Sequence, residues 1–528
     1  MPTLTIDGKE ITVELGTTIL KAAERLGIFI PHYCYHPSLL VVGSCRMCFV
    51  EIEGSPKLVP ACSTVAVDGM KVLTNSENVI KARESMLEFL LINHPLDCPV
   101  CDQAGECKLQ DYAFLYGKNH SRFNEQKRLL PNKDFGEHIV LYANRCILCT
   151  RCVRFCQEIA GYEELGVFLR GGKSQIDIFP GKTLKNKLAG NIVDICPVGA
   201  LIDKDFLHKT RVWNLTSYNS ICPKCSRGCN IRIDVKDNTI FRIKPRENHE
   251  VNSHWICDDG RYGYHEWDNI SRIEYPLKRE GDKYIQIGWD EVVKLININF
   301  QSIIKEYNSN AVCGVGNSSA SNEENYLLYY YINKCFNSGN LFLYHINSNE
   351  YEETFKSGFK IESDKNPNKE GAILNLNIKE KDGSFNVLLD RIDEGEIKAL
   401  YFIHKNIGDS LDDDKIKILQ KLDFIVVEDV SESNLTKIAD VVLPTTNYAE
   451  SDGTYINSSR KVQRFFKAFE QPGLVKEGWE ILNILIKKSG DDLDVSSPAD
   501  VFNKMSDYFE ELKGLSFYKL GDNGINLS

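Results

Sequence analysis

Eighteen cysteines carry most of the reactive potential of this chain, and sixteen of them fall within the first 257 residues. A long chain without a recognisable leader is a poor disulfide scaffold, and clustered Cys-x-x-Cys spacings in a reducing compartment point to metal. The first set is Cys34, Cys45, Cys48 and Cys62, spaced C-x10-C-x2-C-x13-C. A loop cysteine, a Cys-x-x-Cys pair and a distant fourth cysteine are also how plant-type [2Fe–2S] ferredoxins hold their cluster, with different gaps. Gly43 and Ser44 let backbone N–H groups approach the sulfurs. Four thiolates suit a structural zinc as well. The second set is His94, Cys98, Cys101 and Cys107, three thiolates and one imidazole that fit a [4Fe–4S] cluster or a zinc ion. The plain alternative for His94 is a helix-end residue favoured by the dipole.

The third set is the most diagnostic. Residues 146–156 read C-I-L-C-T-R-C-V-R-F-C, the bacterial ferredoxin run in which the fourth cysteine ligates the other cluster of a pair. The matching half should end in Cys-Pro, and Cys196-Pro197 supplies that ending. Counting back from Cys196, the other ligand positions hold Asn186, Ala189 and Ile192, so one cluster is lost. The crossed-ligand rule then assigns the surviving [4Fe–4S] cluster to Cys146, Cys149, Cys152 and Cys196, and leaves Cys156 as a buried thiol. The rival reading keeps Cys156 as fourth ligand. The last set, Cys222, Cys225, Cys229 and Cys257, is spaced C-x2-C-x3-C-x27-C and suits a further [4Fe–4S] cluster, with zinc again a competitor. Several clusters in series mean electron transfer. Their tuning rests on ligand type, hydrogen bonds and burial.

The elements that must position these sets follow from pattern. Leu4, Ile6, Ile11 and Val13 alternate about Asp7-Gly8, a hairpin signal. Residues 18–26 have helical spacing, and 49–52 and 57–59 read as strands. Together these predict a β-grasp fold. An amphipathic helix over 77–93 carries Ile80, Leu87, Leu90 and Leu91 and is stopped by Pro95. Residues 171–190 read as a loop rich in Gly and Lys. Strands are expected at 231–235 and 239–243. From about 270 onward helix patterns (290–304, 479–487) alternate with buried strands (399–403, 424–427), which argues a layered α/β domain.

Composition narrows the function classes. The 528 residues suggest three or four domains. A net charge of -11 makes nucleic-acid binding a poor fit. No apolar run approaches the roughly 18 residues of a spanning helix. The start of the chain lacks the basic stretch and apolar core of a signal peptide, so a cytoplasmic address is the default. Gly314-x-Gly316 is a short, weak match to a dinucleotide loop, and Cys313 and Cys335 read as core thiols.

The order of the four cysteine sets resembles the 75-kDa subunit family of NADH:quinone oxidoreductase, respiratory complex I, in its bacterial form. The likeness is strong over 1–270. It is weaker over 271–528, which resembles a molybdopterin-oxidoreductase domain through residues 439–444, then Glu450, Gly453-Thr454, Asn457, Arg460 and Gln463, and earlier through Ser321-Asn322-Glu323-Glu324-Asn325-Tyr326. The resemblance implies a multidomain α+β and α/β chain. Its parts would be a β-grasp [2Fe–2S] domain (1–78), a domain with one His and three Cys ligands (79–118), a ferredoxin-type 4Fe–4S domain with one cluster lost (119–214), a further 4Fe–4S domain (215–271) and a degenerate molybdopterin-oxidoreductase-like domain (272–528). It implies one [2Fe–2S] and three [4Fe–4S] clusters. Electrons would pass from a flavin-bearing NADH subunit to the Cys34 set, then the Cys146 set, then the His94 set, and on to quinone-side iron–sulfur subunits. The Cys222 set would lie off that path. It further implies a peripheral place on the cytoplasmic face of the plasma membrane, with membrane contact only through the complex.

Departures from catalytic relatives bear on the C-terminal half. Molybdenum enzymes of the formate dehydrogenase type need a Cys, selenocysteine or Ser ligand after the Asn-Glu helix; Cys335 falls too early and no cysteine follows it. Such enzymes often place Lys after the last cluster cysteine, where this chain has Asp258-Asp259-Gly260. The domain is also short for that cofactor, so no molybdopterin is expected. An iron hydrogenase would need further cysteines beyond residue 270.

Overall fold

Asp7 and Gly8 both adopt positive φ (46° and 81°), the mirror-image turn that matches strand twist, and join Thr3–Ile6 to Lys9–Thr12. In the computed structural model, which describes residues 1–268, 270–346, 351–405 and 411–527, this hairpin edges a five-stranded sheet. The order runs Lys9–Thr12, Thr3–Ile6, Lys71–Leu73, Phe49–Ile52, Val59–Pro60. The expected strand at 57–59 is thus the two-residue Val59–Pro60. Thr18 caps the helix Ile19–Arg25, which turns Ile19, Leu20, Ala22 and Ala23 into the core shared with Leu4, Ile6, Val50 and Val72. This is the β-grasp arrangement.

The next helix, Glu77–Leu91, is capped by Ser76. Its buried stripe is Val79, Arg83 and Leu87, at i, i+4 spacing, while Ile80 is exposed. Arg83 occupies a core position because its guanidinium donates to Asn75 Oδ1, Tyr116 OH and Phe49 O. Further on, Arg151–Arg154 is helical and continues as a wider helical turn over Phe155–Ala160. Part of the expected 171–190 loop is a strand: Gln175–Ile178 pairs with Leu165–Phe168.

The chain divides into two compact units. One comprises Met1–Leu215 with Thr354–Phe359, and the other Thr216–Glu353 with Lys360–Ser528. The second unit begins with an antiparallel sheet of Thr216–Ile221, Asn230–Lys236 and Thr239–Pro245. Its main body is a seven-stranded sheet ordered Lys283–Gln286, Leu277–Glu280, Val441–Pro444, Phe424–Asp429, Ala399–Ile403, Val312–Asn317, Leu341–Tyr344. The last five are mutually parallel. Alternate residues feed two cores: Val312, Tyr401 and Val426 face one, and Cys313, Phe402 and Val427 the other. A parallel sheet covered on both faces is the layered α/β body the pattern implies.

Gly314 and Gly316 lie inside the buried strand Val312–Asn317. A Cβ on Gly314 would meet Ile332 at 2.7 Å, and one on Gly316 would meet Asn325 Oδ1 at 2.4 Å, so these glycines admit helix side chains rather than a phosphate. Ser321 caps the helix Asn322–Tyr329 in a capping box with Glu324, the helix start read from the sequence. Cys313 is fully buried and Cys335 half-buried. Among the described residues no helix is long and apolar enough to cross a membrane.

Candidate metal centres

Cys34, Cys45 and Cys48 lie on the loop between the helix Ile19–Arg25 and the strand Phe49–Ile52, and Cys62 follows Val59–Pro60. Positive φ at Gly43 and Arg46 curls that loop around its sulfurs. The Cys34 N–H points at Cys45 Sγ (3.5 Å). The thiols hydrogen-bond in the chain Cys45, Cys34, Cys62, Cys48. Hydrogen bonds from Cys45 and Cys62 hold the Cys34 thiol far below its ordinary value. The bond to Cys62 lowers Cys48, while their partners Cys45 and Cys62 are pushed up. Four sulfurs gathered in one hydrogen-bonded chain offer the four thiolates that two irons require, so these residues fit a [2Fe–2S] cluster.

His94 follows the end of the helix Glu77–Leu91. Lys127 Nζ gathers the carbonyls of Leu91 (2.6 Å), Ile92 (3.1 Å) and His94 (2.9 Å), which caps the helix and holds the His94 backbone. Burial, with the nearby charges of Lys127 and Arg145, lowers the His94 imidazole to about 4. It is therefore neutral at pH 7, as a metal ligand must be. Cys98 opens the short turn Cys98–Val100 and is exposed; Cys101 and Cys107 are buried, and burial pushes Cys107 up to about 11.

Cys146, Cys149, Cys152 and Cys196 line one small pocket of about 20 Å³, together with Leu141, Ile176, Val198 and Leu201. Cys156 is not among its lining residues. Leu148 and Thr150 have positive φ, and the Leu148 N–H donates to Cys146 Sγ at 3.4 Å. Burial pushes the thiols of Cys146 and Cys149 up to about 12 and 11. Burial also raises Cys196, opposed by hydrogen bonds from the backbone of Val198, Leu201 and Ala200. Four neutral thiols in an apolar pocket become thiolates only when a bound cation compensates desolvation, so the donor set fits an iron–sulfur cluster. The positions at which the sequence reading finds no ligand are packed. Asn186 Nδ2 donates to Glu164 Oε2 at 2.5 Å, and Ala189 and Ile192 are buried.

Two contacts join the sets within this unit. Gly199, three residues after Cys196, lies against Cys101: a Cβ there would stand 2.2 Å from Sγ. Arg145, just before Cys146, donates through Nε to Asp97 (3.0 Å), just before Cys98.

The last set spans the hairpin loop between Thr216–Ile221 and Asn230–Lys236, with Cys257 capping the helix Asp258–Tyr262. The Cys222 N–H donates to Cys229 O (2.8 Å), and the Gly260 N–H points at Cys257 Sγ (3.4 Å). A Cβ on Gly260 would lie 3.0 Å from Cys222 Sγ, so the position after Asp258-Asp259 requires a small residue. All four thiols are buried, and burial raises each.

Among the described residues the trio of ligand atoms that lie within 4.8 Å of one another is elsewhere, at Glu247, His249 and His254, where His249 Nε2 pairs with Glu247 at 2.8 Å. Sequence reasoning passed over that trio and over Lys127, Gly199 and the arginines at 145, 151 and 154, because nothing in their local spacing marks them.

Comparison with known families gives five matches in chain order. Residues 1–77 match a 2Fe-2S iron-sulfur cluster binding domain, and 83–122 an NADH-ubiquinone oxidoreductase-G iron-sulfur binding region. Residues 136–202 match the ferredoxin-like domain of NADH-quinone oxidoreductase subunit 3. Residues 215–269 match a molybdopterin oxidoreductase Fe4S4 domain, and 272–364 and 337–488 a molybdopterin oxidoreductase domain. The NADH-quinone oxidoreductase G subunit of Rickettsia bellii is 36% identical over 494 residues, covering 91% of this chain and 70% of that protein. The NADH-ubiquinone oxidoreductase 75 kDa subunit of Reclinomonas americana is 45% identical over 312 residues, 59% of this chain and 44% of that protein. Among solved structures, a chain of an NAD+-reducing [NiFe]-hydrogenase in the H2-reduced state is 34% identical over 40% of this chain and 91% of that chain, with a TM-score of 0.37.

Proposed function

Because the chain belongs to the family of the NADH-quinone oxidoreductase G subunit, we propose that it is the electron-relaying iron–sulfur subunit of such a complex. When bound, one [2Fe–2S] cluster on the Cys34 set and [4Fe–4S] clusters on the Cys146 and His94 sets supply one-electron carriers in that order. The Cys222 set holds a third [4Fe–4S] cluster aside from this path. The chain's own work is to hold the sets close, exclude water and tune each electrostatically. It has no substrate site of its own in this reading, and the molybdopterin-oxidoreductase-like domain is a degenerate scaffold.

The observation that carries this reading is the packing of three cysteine sets within one unit, with Gly199, after Cys196, against Cys101 and Arg154 bridging the carbonyls of Cys149 and Cys34. Apolar side chains stand exposed at both ends. Leu40 is 71% exposed near the Cys34 set, and Leu96 is 85% exposed beside Cys98. Such residues suit docking surfaces for a flavin-bearing NADH subunit and for a quinone-side iron–sulfur subunit. Membrane attachment, on the cytoplasmic face of the plasma membrane, then comes through the complex.

The test uses the assembled complex. Cys149→Ala should abolish NADH:quinone electron flow while ferricyanide reduction at the flavin subunit survives. Normal quinone reduction in that variant would refute the relay.

A further inference from the structure

Two buried arginines one helical turn apart stand between the loop that carries Cys34 and the run that carries Cys149. Arg154 Nη2 donates to the carbonyl of Cys34 (2.6 Å) and to that of Cys149 (3.3 Å); its Nη1 donates to Leu40 O (2.5 Å) and its Nε to Thr150 Oγ1 (3.4 Å). Arg151 Nη1 donates to Ile195 O (3.0 Å), next to Cys196, and its Nη2 to Tyr35 O, next to Cys34. Glu158, further along the same helical segment, takes the Leu40 N–H at 2.8 Å. Residues 34–40 are therefore tied to 149–158 and 195 through the ligand residues themselves or their neighbours.

The charge balance at this junction is unusual. Arg151 is 5% exposed and Arg154 6%. Their hydrogen-bond acceptors are backbone carbonyls and the Thr150 hydroxyl, all neutral. Among the described residues neither forms an ion pair with a carboxylate. A buried cation is costly unless opposite charge compensates it, and thiolate-ligated clusters are anionic. The junction toward the His94 set differs: there Arg145 pairs with Asp97 at 2.9 Å and its charge is neutralised.

We propose that Arg151 and Arg154 act as positioning residues that join the Cys34 and Cys146 centres and raise the electron affinity of both together, while the paired Arg145 does not. The inference rests on the cluster assignment above. An unneutralised charge beside the ligand residues, at an effective dielectric near 20, changes the affinity for an added electron by about tenfold or more.

The experiment is a redox titration followed by electron paramagnetic resonance on the anaerobically purified full chain, with iron measured on each variant. Arg154→Gln should lower the affinity of both the Cys34-site and Cys146-site clusters about tenfold, a downward shift of about 59 mV for one electron. The His94-site and Cys222-site clusters should be unmoved. Arg154→Lys, which keeps the charge but not the fork, should restore most of the shift. Arg151→Gln should shift the same two centres. Unchanged potentials in Arg154→Gln at full iron content would overturn the inference, as would an equal shift at all four centres. Loss of iron from Arg154→Gln alone passes the test to Arg151→Gln and Arg154→Lys. Loss from all three variants would mean the arginines are merely structural. A wild-type chain without a [2Fe–2S] signal would instead sink the cluster assignment on which the inference rests.

Discussion

The backbone of Gly199 presses on the sulfur of Cys101 so closely that a β-carbon at residue 199 would stand 2.2 Å from Sγ. Gly199 belongs to the turn that follows Cys196, and Cys101 belongs to the His94 set. The turn after Cys196 thus forms part of the wall around Cys101. Close spacing between carriers is what a relay needs, and here the absence of a side chain supplies it.

Gly199→Ala tests that contact. Cys101 cannot both ligate and swing aside, so the variant should lose the His94-site cluster, about four iron atoms per chain. The Cys34-site signal should remain. Full iron content with four normal signals would contradict the contact.

Lys127 holds three carbonyls at the helix end before Cys98. Lys127→Met leaves them without that donor and loosens His94. Iron should leave the His94 site faster under a chelator, and the other centres should keep their wild-type rates. Spectroscopy of each centre during chelation follows the difference.

Cys156 is fully buried, and burial, with the charge of Glu164, pushes its thiol up. Cys156→Ala should retain every cluster and lower stability by about 1 kcal/mol, an ordinary loss for a small buried group. Loss of the Cys146-site signal would make Cys156 a ligand after all.

Glu323 is buried, and its carboxylate accepts from Thr454 N (2.9 Å) and Thr454 Oγ1 (2.8 Å). Burial raises it to about 7. In the folded chain it holds its proton across a range where the unfolded chain has lost it. Its contribution is therefore complete below pH about 4.5 and is lost as pH rises to about 7. Glu323→Gln should remove that decline: between pH 5.5 and 7.5 the wild type should lose on the order of 2 kcal/mol relative to the variant. Thermal unfolding across this range measures it, and parallel profiles would contradict the assignment.

The four proposed ligand sets were legible because cluster ligation imposes local spacing, and so was the crossed role proposed for Cys196, which follows from Cys-Pro and the empty positions 186, 189 and 192. Helix ends were legible where Thr18, Ser76 and Ser321 cap. What escaped is long-range. Lys127 meets His94 across 33 residues, and Arg154 meets Cys34 across 120. An arginine in isolation reads as a surface residue, so Arg83, Arg151 and Arg154 gave no sign of burial. The periodicity that favoured Ile80 over Val79 failed for the same reason, since the true stripe includes Arg83. The segment Thr354–Phe359 groups with the first unit, where its Ser357 N–H donates to Ile159 O at 3.0 Å, a pairing that no contiguous domain division anticipates.

The central claim is that this one chain carries the [2Fe–2S] cluster and three [4Fe–4S] clusters of an electron relay and no molybdenum centre. Elemental analysis of the anaerobically purified chain tests it most directly. The account predicts about 14 iron atoms and a matching amount of acid-labile sulfide per chain, without stoichiometric zinc or molybdenum. Zinc in place of iron at the Cys34, Cys146 or His94 set would contradict the relay, zinc at the Cys222 set would contradict the fourth cluster, and stoichiometric molybdenum would contradict the reading of the C-terminal domain as a scaffold.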